Sequence, residues 1–398
     1  MTRTNSFLLP ILLSLLFFSF YRRAHHSSAQ TKSRVSDKPV LKPKDSISSG
    51  SKIQVVFALD ATGSMSGLIG AAKEKIWSIA GSLAQADPAP KIEIGLLFYR
   101  DRGDAFITKH VELSDDLDEV YEKLMQIDAD GGGDSPESVN QGLNEAVNKF
   151  RWDSSIQTYK TIFLVGDCPP HMDYGNDVKY PVTCTEARQK DIVLNTILMG
   201  NDEQAKRIWR EIAAYSQGSY TQVNMDANDI VINTPYDEKI ANISDQLDDN
   251  RLYYGNESEK AISSEKIAKS KIISGASRAN IKAQRAEYNS SKVAKDVYYG
   301  NKELLESYRL KSVDLESIKK EELPESMKGM TTEQMKKFVE NRIALRDSLN
   351  KALTQLTQKR QIFIENDLAR RNPGIVDSSF TNQIYKSIQK QTEKKKIY

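Results

Sequence analysis

The sequence predicts an α/β fold: a doubly wound, mainly parallel sheet with helices on both faces, followed by a helical carboxyl-terminal region. Three observations carry this. Between residues 53 and 223, short apolar runs alternate with stretches of helical periodicity, the pattern of strands joined by crossover helices. The runs at 53–59 and 160–166 are nearly continuously apolar, with Val and Ile supplying β-branching, as strands buried on both faces require. Beyond about Asp226 the composition shifts to Lys, Glu, Ser, Asn and Gln, with few long apolar runs.

Taken in order, the first strand covers 53–59 and ends in Asp60-Ala61-Thr62-Gly63-Ser64. A helix follows at once over 64–86, with Leu68, Ala72, Ile76, Ile79 and Leu83 at helical spacing. The second strand is 92–99. The turn Arg100-Asp101-Arg102-Gly103-Asp104 leads into 105–113, an antiparallel edge strand, and then into a helix over 115–127 with Ser114 as its N-cap. Gly131-Gly132-Gly133-Asp134-Ser135-Pro136-Glu137 follows. Its glycines permit backbone shapes closed to other residues, and Pro136 suits the first turn of the helix 137–150. Strand 160–166 ends in Asp167. A polar loop from Cys168 to Cys184 precedes a short helix, strand 192–199, helix 203–216 and a sixth strand at 219–223.

In sheets of this kind ligands bind at the carboxyl ends of the strands, and Asp60, Asp134 and Asp167 fall in loops at that edge. Asp60, Thr62 and Ser64 put one carboxylate and two hydroxyls at i, i+2 and i+4 on a strand-to-helix turn, a donor set that suits a hard divalent cation. The same five residues also read as a polar turn with Ser64 capping the helix.

These residues resemble the Asp-x-Ser-x-Ser signature of the von Willebrand factor type A domain, with Thr62 in place of the first Ser. The resemblance covers about residues 52–223 and implies a Rossmann-like, doubly wound, mainly parallel six-stranded sheet. It also implies a metal-ion-dependent adhesion site that holds Mg²⁺, with Mn²⁺ or Ca²⁺ as other occupants. Thr62 and Ser64 would ligate through hydroxyls, Asp60 directly or through water, and Asp167 from the end of its strand. The family's Thr from the intervening loop corresponds here to Asp134, with Ser135 as the alternative ligand. The Gly-Gly-Gly-Asp-x-Pro-Glu run and Tyr99-Arg100-Asp101 resemble a branch of the family common among exported bacterial proteins. Three carboxylates around a divalent ion would leave the site formally at −1, which favours cation capture and weakens its pull on a partner's carboxylate.

The chain's 398 residues leave room for one large domain or two ordinary ones. Its 56 basic and 54 acidic side chains nearly cancel, giving no reason to expect a nucleic-acid partner. Residues 7–21 are apolar and uncharged, short for a membrane span but suited to a secretory signal with small residues near Ala29. Arg22, Arg23, His25 and His26 after that run keep a retained amino-terminal anchor open, the one route by which the membrane would be a partner. The expected organisation is a signal peptide or anchor over 1–29, a flexible leader over 30–51 and the A domain over 52–225. A secreted, periplasmic or cell-envelope location follows. The only cysteines are Cys168 and Cys184. In an exported chain a disulfide between them, worth on the order of 3 kcal/mol, is favoured over two free thiols.

Other features have plain readings. Arg102-Gly103-Asp104 spells an integrin-recognition tripeptide but reads as a turn. His171 follows Asp167 closely, yet no set of nitrogen or sulfur ligands assembles for zinc, so it reads as loop filler, and Asp173 and Asp177 as solvated loop. No general base, phosphate-cradling lysine loop or Ser-His-Asp set is present, so no catalytic residue is expected.

In the second half, 236–252 and 258–297 read as helical within a linker region 226–320. Thr331 and Gln334 form a capping box flanked by Met330 and Met335 as a hydrophobic staple. The helix they start places Met335, Phe338, Leu345, Leu349, Ala352, Leu356 and Phe363 in an imperfect coiled-coil-like stripe interrupted by Arg342 and Lys359. That pattern predicts a hairpin or pairing helix over 321–370. Residues 371–398 read as a tail, frayed from Gln391. The expected function is binding of a protein partner through the metal face, possible contacts including an acidic side chain. The alternative is a structural or assembly role in which the metal stabilises loops and the helices make the contacts.

Overall fold

The continuous apolar runs become the middle of the sheet. In the computed structural model, which describes residues 52–84, 89–133, 135–223, 231–371 and 380–395, six strands form. They are β1 (Lys52–Asp60), β2 (Lys91–Tyr99), β3 (Thr108–Ser114), β4 (Thr158–Gly166), β5 (Ile192–Met199) and β6 (Tyr220–Val223). Their order is β3-β2-β1-β4-β5-β6, all parallel except β3, which pairs antiparallel with β2 at one edge. The order reverses between β1 and β4, so their carboxyl ends frame the crevice where such sheets take ligands. The expected signal peptide, the leader and Asp134 lie outside the described residues.

Alternation along β1 divides the core in two. Ile53, Val55, Phe57 and Leu59 face α1 (Ser66–Ala84) and α2 (Leu117–Met125). Val56 and Ala58 face α3 (Val139–Asn148), α4 (Tyr180–Gln189) and α5 (Glu203–Tyr215). Two local expectations are corrected. Asp116, not Ser114, caps α2, because its carboxylate accepts from the amides of Asp118 and Glu119 while Ser114 Oγ accepts from Asp116. The cysteines are free thiols, not a disulfide. α4 begins at Tyr180, which turns Cys184 into the core beneath the helix, whereas Cys168 stands on the loop after β4.

The helical region consists of α6 (Asp237–Asp249), α7 (Glu257–Ala276), α8 (Ala279–Asn289), α9 (Lys295–Tyr299), α10 (Leu304–Arg309), α11 (Thr332–Arg370) and α12 (Phe380–Lys395). The stretch expected to be helical over 258–297 breaks at Ser277 and again after Asn289, so that α7 packs on α2 and α8 packs on α1. This region packs against the helices of the sheet: Ile273, Ile281 and Tyr288 belong to the same apolar cluster as α1. Arg285 of α8 fastens the junction. It meets Asp118 of α2 at 2.6 and 2.7 Å and Asp248 of α6 at 2.7 and 3.2 Å, all three buried.

The capping box at Thr331 and Gln334 forms, but α11 is one 39-residue helix that pairs with α6 within the chain, not a hairpin. Its buried face is Met335, Val339, Arg346, Leu349, Leu353 and Arg360, while Leu345 and Phe363 of the expected stripe are 48% and 37% exposed. Two arginines stand in the seam because acids wait opposite them. Arg346 pairs with Glu303 at 2.8 Å and Glu306 at 3.1 Å, and Arg360 pairs with Asp237 at 2.8 Å.

The expected tail is also corrected. α12 returns to the sheet, burying Ile384, Ile388 and Thr392 against the same apolar cluster as α1. Gln391, expected to be frayed, exchanges amide hydrogen bonds with Asn195 of β5 at 2.8 and 3.2 Å. Among the described residues no helix is long and apolar enough to cross a membrane.

Candidate metal centre

At the end of β1 the chain must leave the sheet, and Asp60 organises that exit. Its Oδ1 accepts from the Thr62 amide at 2.9 Å and from Thr62 Oγ1 at 2.6 Å. Thr62 then caps a single 3₁₀ turn, Gly63–Met65, and its hydroxyl lies 3.3 Å from Ser64 Oγ. Asp60 and Thr62 are buried, and Ser64 is exposed. The glycine run is laced onto this turn: Gly63 donates to the Gly131 carbonyl at 3.0 Å and Asp130 donates to that of Ala61 at 3.1 Å. Arg100 closes the far side through Ala61 O at 2.9 Å and Asp128 O at 2.7 Å.

Backbone proximity explains two glycines. At Gly132 (φ +71°) a Cβ would lie 2.9 Å from Thr62 Cβ and 3.2 Å from Glu137 Oε1. At Gly166 it would lie 3.1 Å from Asp60 Oδ2. Register puts Leu59 opposite Val165, so Asp60 and Asp167 leave neighbouring strands side by side.

The sequence-predicted Asp60, Thr62, Ser64 and Asp167 are thus gathered on one edge, and Asp134 lies outside the described residues. Ser135 is exposed and hydrogen-bonds the Cys168 thiol, which burial pushes up to about 12. Glu137 is the residue the sequence reading missed. It stood there as an ordinary first-turn acid of a helix, yet α3 begins only at Val139 and Glu137 is 2% exposed. Its backbone is pinned by Pro169 O and the His171 amide, each at 3.0 Å. The available signal was its place directly after Pro136, closing the glycine-rich run.

Among the described residues, buried oxygens without a hydrogen-bond partner remain on Asp60 (Oδ2), Glu137 (Oε2) and Asp167 (Oδ1). Burial pushes Asp60 up to about 7, the Asp167 charge adding to the rise while bonds from Thr62 and the Arg100 charge oppose it. Burial pushes Glu137 up to about 9, helped by the charges of Asp60, Asp101, Asp167 and Asp104. Carboxylates so placed fit a positive guest. Among the described residues, no three His, Cys, Asp or Glu side chains already stand close enough to cage an ion. The oxygen set is two hydroxyls plus these acids.

The surrounding ring is largely hydrogen-bonded, although His171 Nε2 and Asp177 Oδ2 are buried with no hydrogen-bond partner among the described residues. Asp101 accepts from Ser138 at 2.8 Å and Tyr174 at 2.9 Å, and Asp104 accepts from the Gly132 amide. Arg102 pairs with Asp177 at 2.6 Å and lies over Tyr174, so the arginine of the Arg-Gly-Asp tripeptide is engaged by the loop after β4. His171 is more than filler: it stacks on Tyr174 at 3.9 Å and bonds Asp173 at 2.8 Å.

The family model for the von Willebrand factor A domain matches residues 54–235. No curated protein matches the chain in sequence. Similar solved structures include the conserved hypothetical protein BatB from Bacteroides thetaiotaomicron, at 14% identity and a TM-score of 0.33, covering 44% of this chain and 91% of that one. The pilus adhesin SpaC from Lactobacillus rhamnosus GG matches at 15% identity and a TM-score of 0.34, over 44% of this chain and 28% of the adhesin. Proximal thread matrix protein 1 from the mussel byssus, with a zinc-occupied MIDAS motif, matches at 15% identity and 0.36, over 44% and 43%. The match spans less than half the length of those last two proteins. Residues 54–235 of this chain are a von Willebrand factor A domain, and a helical region follows it.

Proposed function

We propose that this is an exported protein whose A domain binds a divalent cation, Mg²⁺ in the first instance, and docks a protein partner on the metal-bearing edge. The observation that carries the reading is the trio of buried, unpartnered oxygens on Asp60, Glu137 and Asp167 beside the hydroxyls of Thr62 and Ser64. Buried polar atoms are almost always satisfied, and a cluster of orphaned acceptors calls for a cation. Asp60, Thr62, Ser64 and Asp167 would hold it, with Asp134 or Ser135 contributing from the glycine-rich loop. The ion would act as a Lewis-acidic contact point and tie three loops together. Exposed Ser64, Gly131, Gly132, Gly133 and Ser135 around it leave the edge open to a macromolecule. The activity is binding, without turnover.

One observation favours the second reading, in which the helices make the contacts: α11 leaves Leu345, Ile362 and Phe363 exposed at 48%, 58% and 37%. Capture of envelope or host proteins on the immobilised chain, with and without EDTA, separates the two. Capture lost in EDTA and in Asp60→Ala supports the metal edge. Capture that survives both but is lost when Leu345, Ile362 and Phe363 are changed to Gln supports the helices and contradicts docking on the metal.

A further inference from the structure

The edge of the sheet away from the metal centre carries a cleft that the cation reading leaves unused. It lies at the amino-terminal ends of β4 and β5, between the loop 149–157 and the turn that ends α4, and holds about 770 Å³. Sites for small molecules have that size, apolar walls and a few placed polar groups. One wall is Phe150 and Trp152, whose ring centroids are 6.3 Å apart, and the rim is Ile156, 84% exposed. A flat apolar guest would cover both ring and rim.

The loop is held in place before any guest arrives. Trp152 donates its indole N–H to Ala146 O at 3.1 Å and its amide to Phe150 O at 2.9 Å. The Asp153 amide donates to Gln54 Oε1 at 2.8 Å. The Asp153 carboxylate accepts from the Ser155 amide at 2.8 Å and Thr158 Oγ1 at 3.1 Å, and it pairs with Lys52 at 3.3 Å. Charge in the cleft is unequal, because Arg151, Lys160 and Lys190 line it against Asp153 and Asp191. Arg151 reaches out to Glu112 at 3.3 Å. Lys160 is 5% exposed, and its Nζ donates to Asp153 O at 3.1 Å. Lys190 donates to two neutral oxygens, Val147 O and Asn148 Oδ1, and among the described residues it is paired with no acid.

We propose that this cleft is a second binding site, which takes a small organic anion with a flat aromatic body. The body lies against Trp152 and Phe150 beneath Ile156, and the anionic group meets Lys190 on the side of the cleft that Lys160 also lines. Asp60 and Asp167 stand at the opposite edge of the sheet, so this site works without the metal.

Equilibrium dialysis of the full chain in EDTA tests this, with 2-naphthoate and its neutral counterpart 2-naphthamide as probes. Wild type takes up naphthoate saturably at one site. It binds the amide about 10-fold more weakly, the loss expected for a contact to a charged group. Lys190→Gln brings naphthoate down to the affinity of the amide. Ile156→Asp changes an exposed position, keeps the wild-type urea midpoint, and weakens naphthoate by a similar factor through lost apolar cover and like charge. No saturable uptake of naphthoate by wild type, equal affinity for acid and amide, or wild-type affinity in both folded variants overturns the proposal.

Discussion

The acids of the helical seam and those of the proposed metal edge both carry oxygens hidden from water, yet only the first set is paired with arginines among the described residues. Asp118 and Asp248 share the fork of Arg285, Glu303 holds Arg346, and Asp237 holds Arg360. At the metal edge, Asp60, Glu137 and Asp167 each keep a bare oxygen. The protonation equilibria move in opposite directions. Asp118 is pushed up by burial but held below the usual carboxylate range by Arg285, whereas Asp60 and Glu137 rise. A buried charge met by the chain's own counter-charge is a fastening. One left unmet is a place for a ligand.

The largest expected effect lies at the fastening. Arg285→Ala strands Asp118, leaves Asp248 to Arg251 and Tyr298 alone, and should destabilise the protein by about 3–5 kcal/mol, read from the midpoint of urea unfolding. An unchanged midpoint would break the comparison at its structural end. A smaller effect belongs to the metal edge. Saturating Mg²⁺ at a hundred times its dissociation constant should stabilise the fold by about 2.7 kcal/mol, reversed by EDTA. Asp60→Asn should erase that increment. Without metal, the same variant should melt within about 1 kcal/mol of wild type, because it removes an unmet charge rather than a paired one. A large loss of metal-free stability in Asp60→Asn would show that Asp60 is a fastening too.

Smaller still is a pH effect confined to the seam. The folded-state pKa of Asp118 lies below its unfolded value, so its contribution is present above about pH 4 and fades as pH falls through the lowered folded value. Melting curves from pH 7 down to pH 3 should show this acid loss in wild type and less of it in Asp118→Asn. Equal acid sensitivity in both would remove Asp118 from the account.

Much of the A domain was legible because its signals are local. Continuous apolar runs at 53–59 and 160–166 had to be central strands, and Asp60, Thr62, Ser64 and Asp167 followed from where those strands end. What escaped depends on partners distant in sequence. Arg346 and Arg360 looked out of place on an apolar stripe until Glu303 and Asp237 appeared opposite them. Gln391 looked like the start of a frayed end, although Asn195 lies 196 residues away to receive it. Glu137 passed as a helix-start acid because only the return of the loop after β4 buries it. The expected disulfide failed for a related reason: α4 starts early enough to turn Cys184 into the core, away from the loop that carries Cys168.

The most direct test of the contrast is calorimetric titration of the metal-free chain with Mg²⁺ and Mn²⁺, for wild type and Asp60→Ala side by side. Saturable one-site binding in wild type, absent in the variant although both melt as folded proteins, is the predicted result. Equal binding by the two, or no binding by either, would contradict the claim that the unmet acids at the end of β1 and β4 form a cation site.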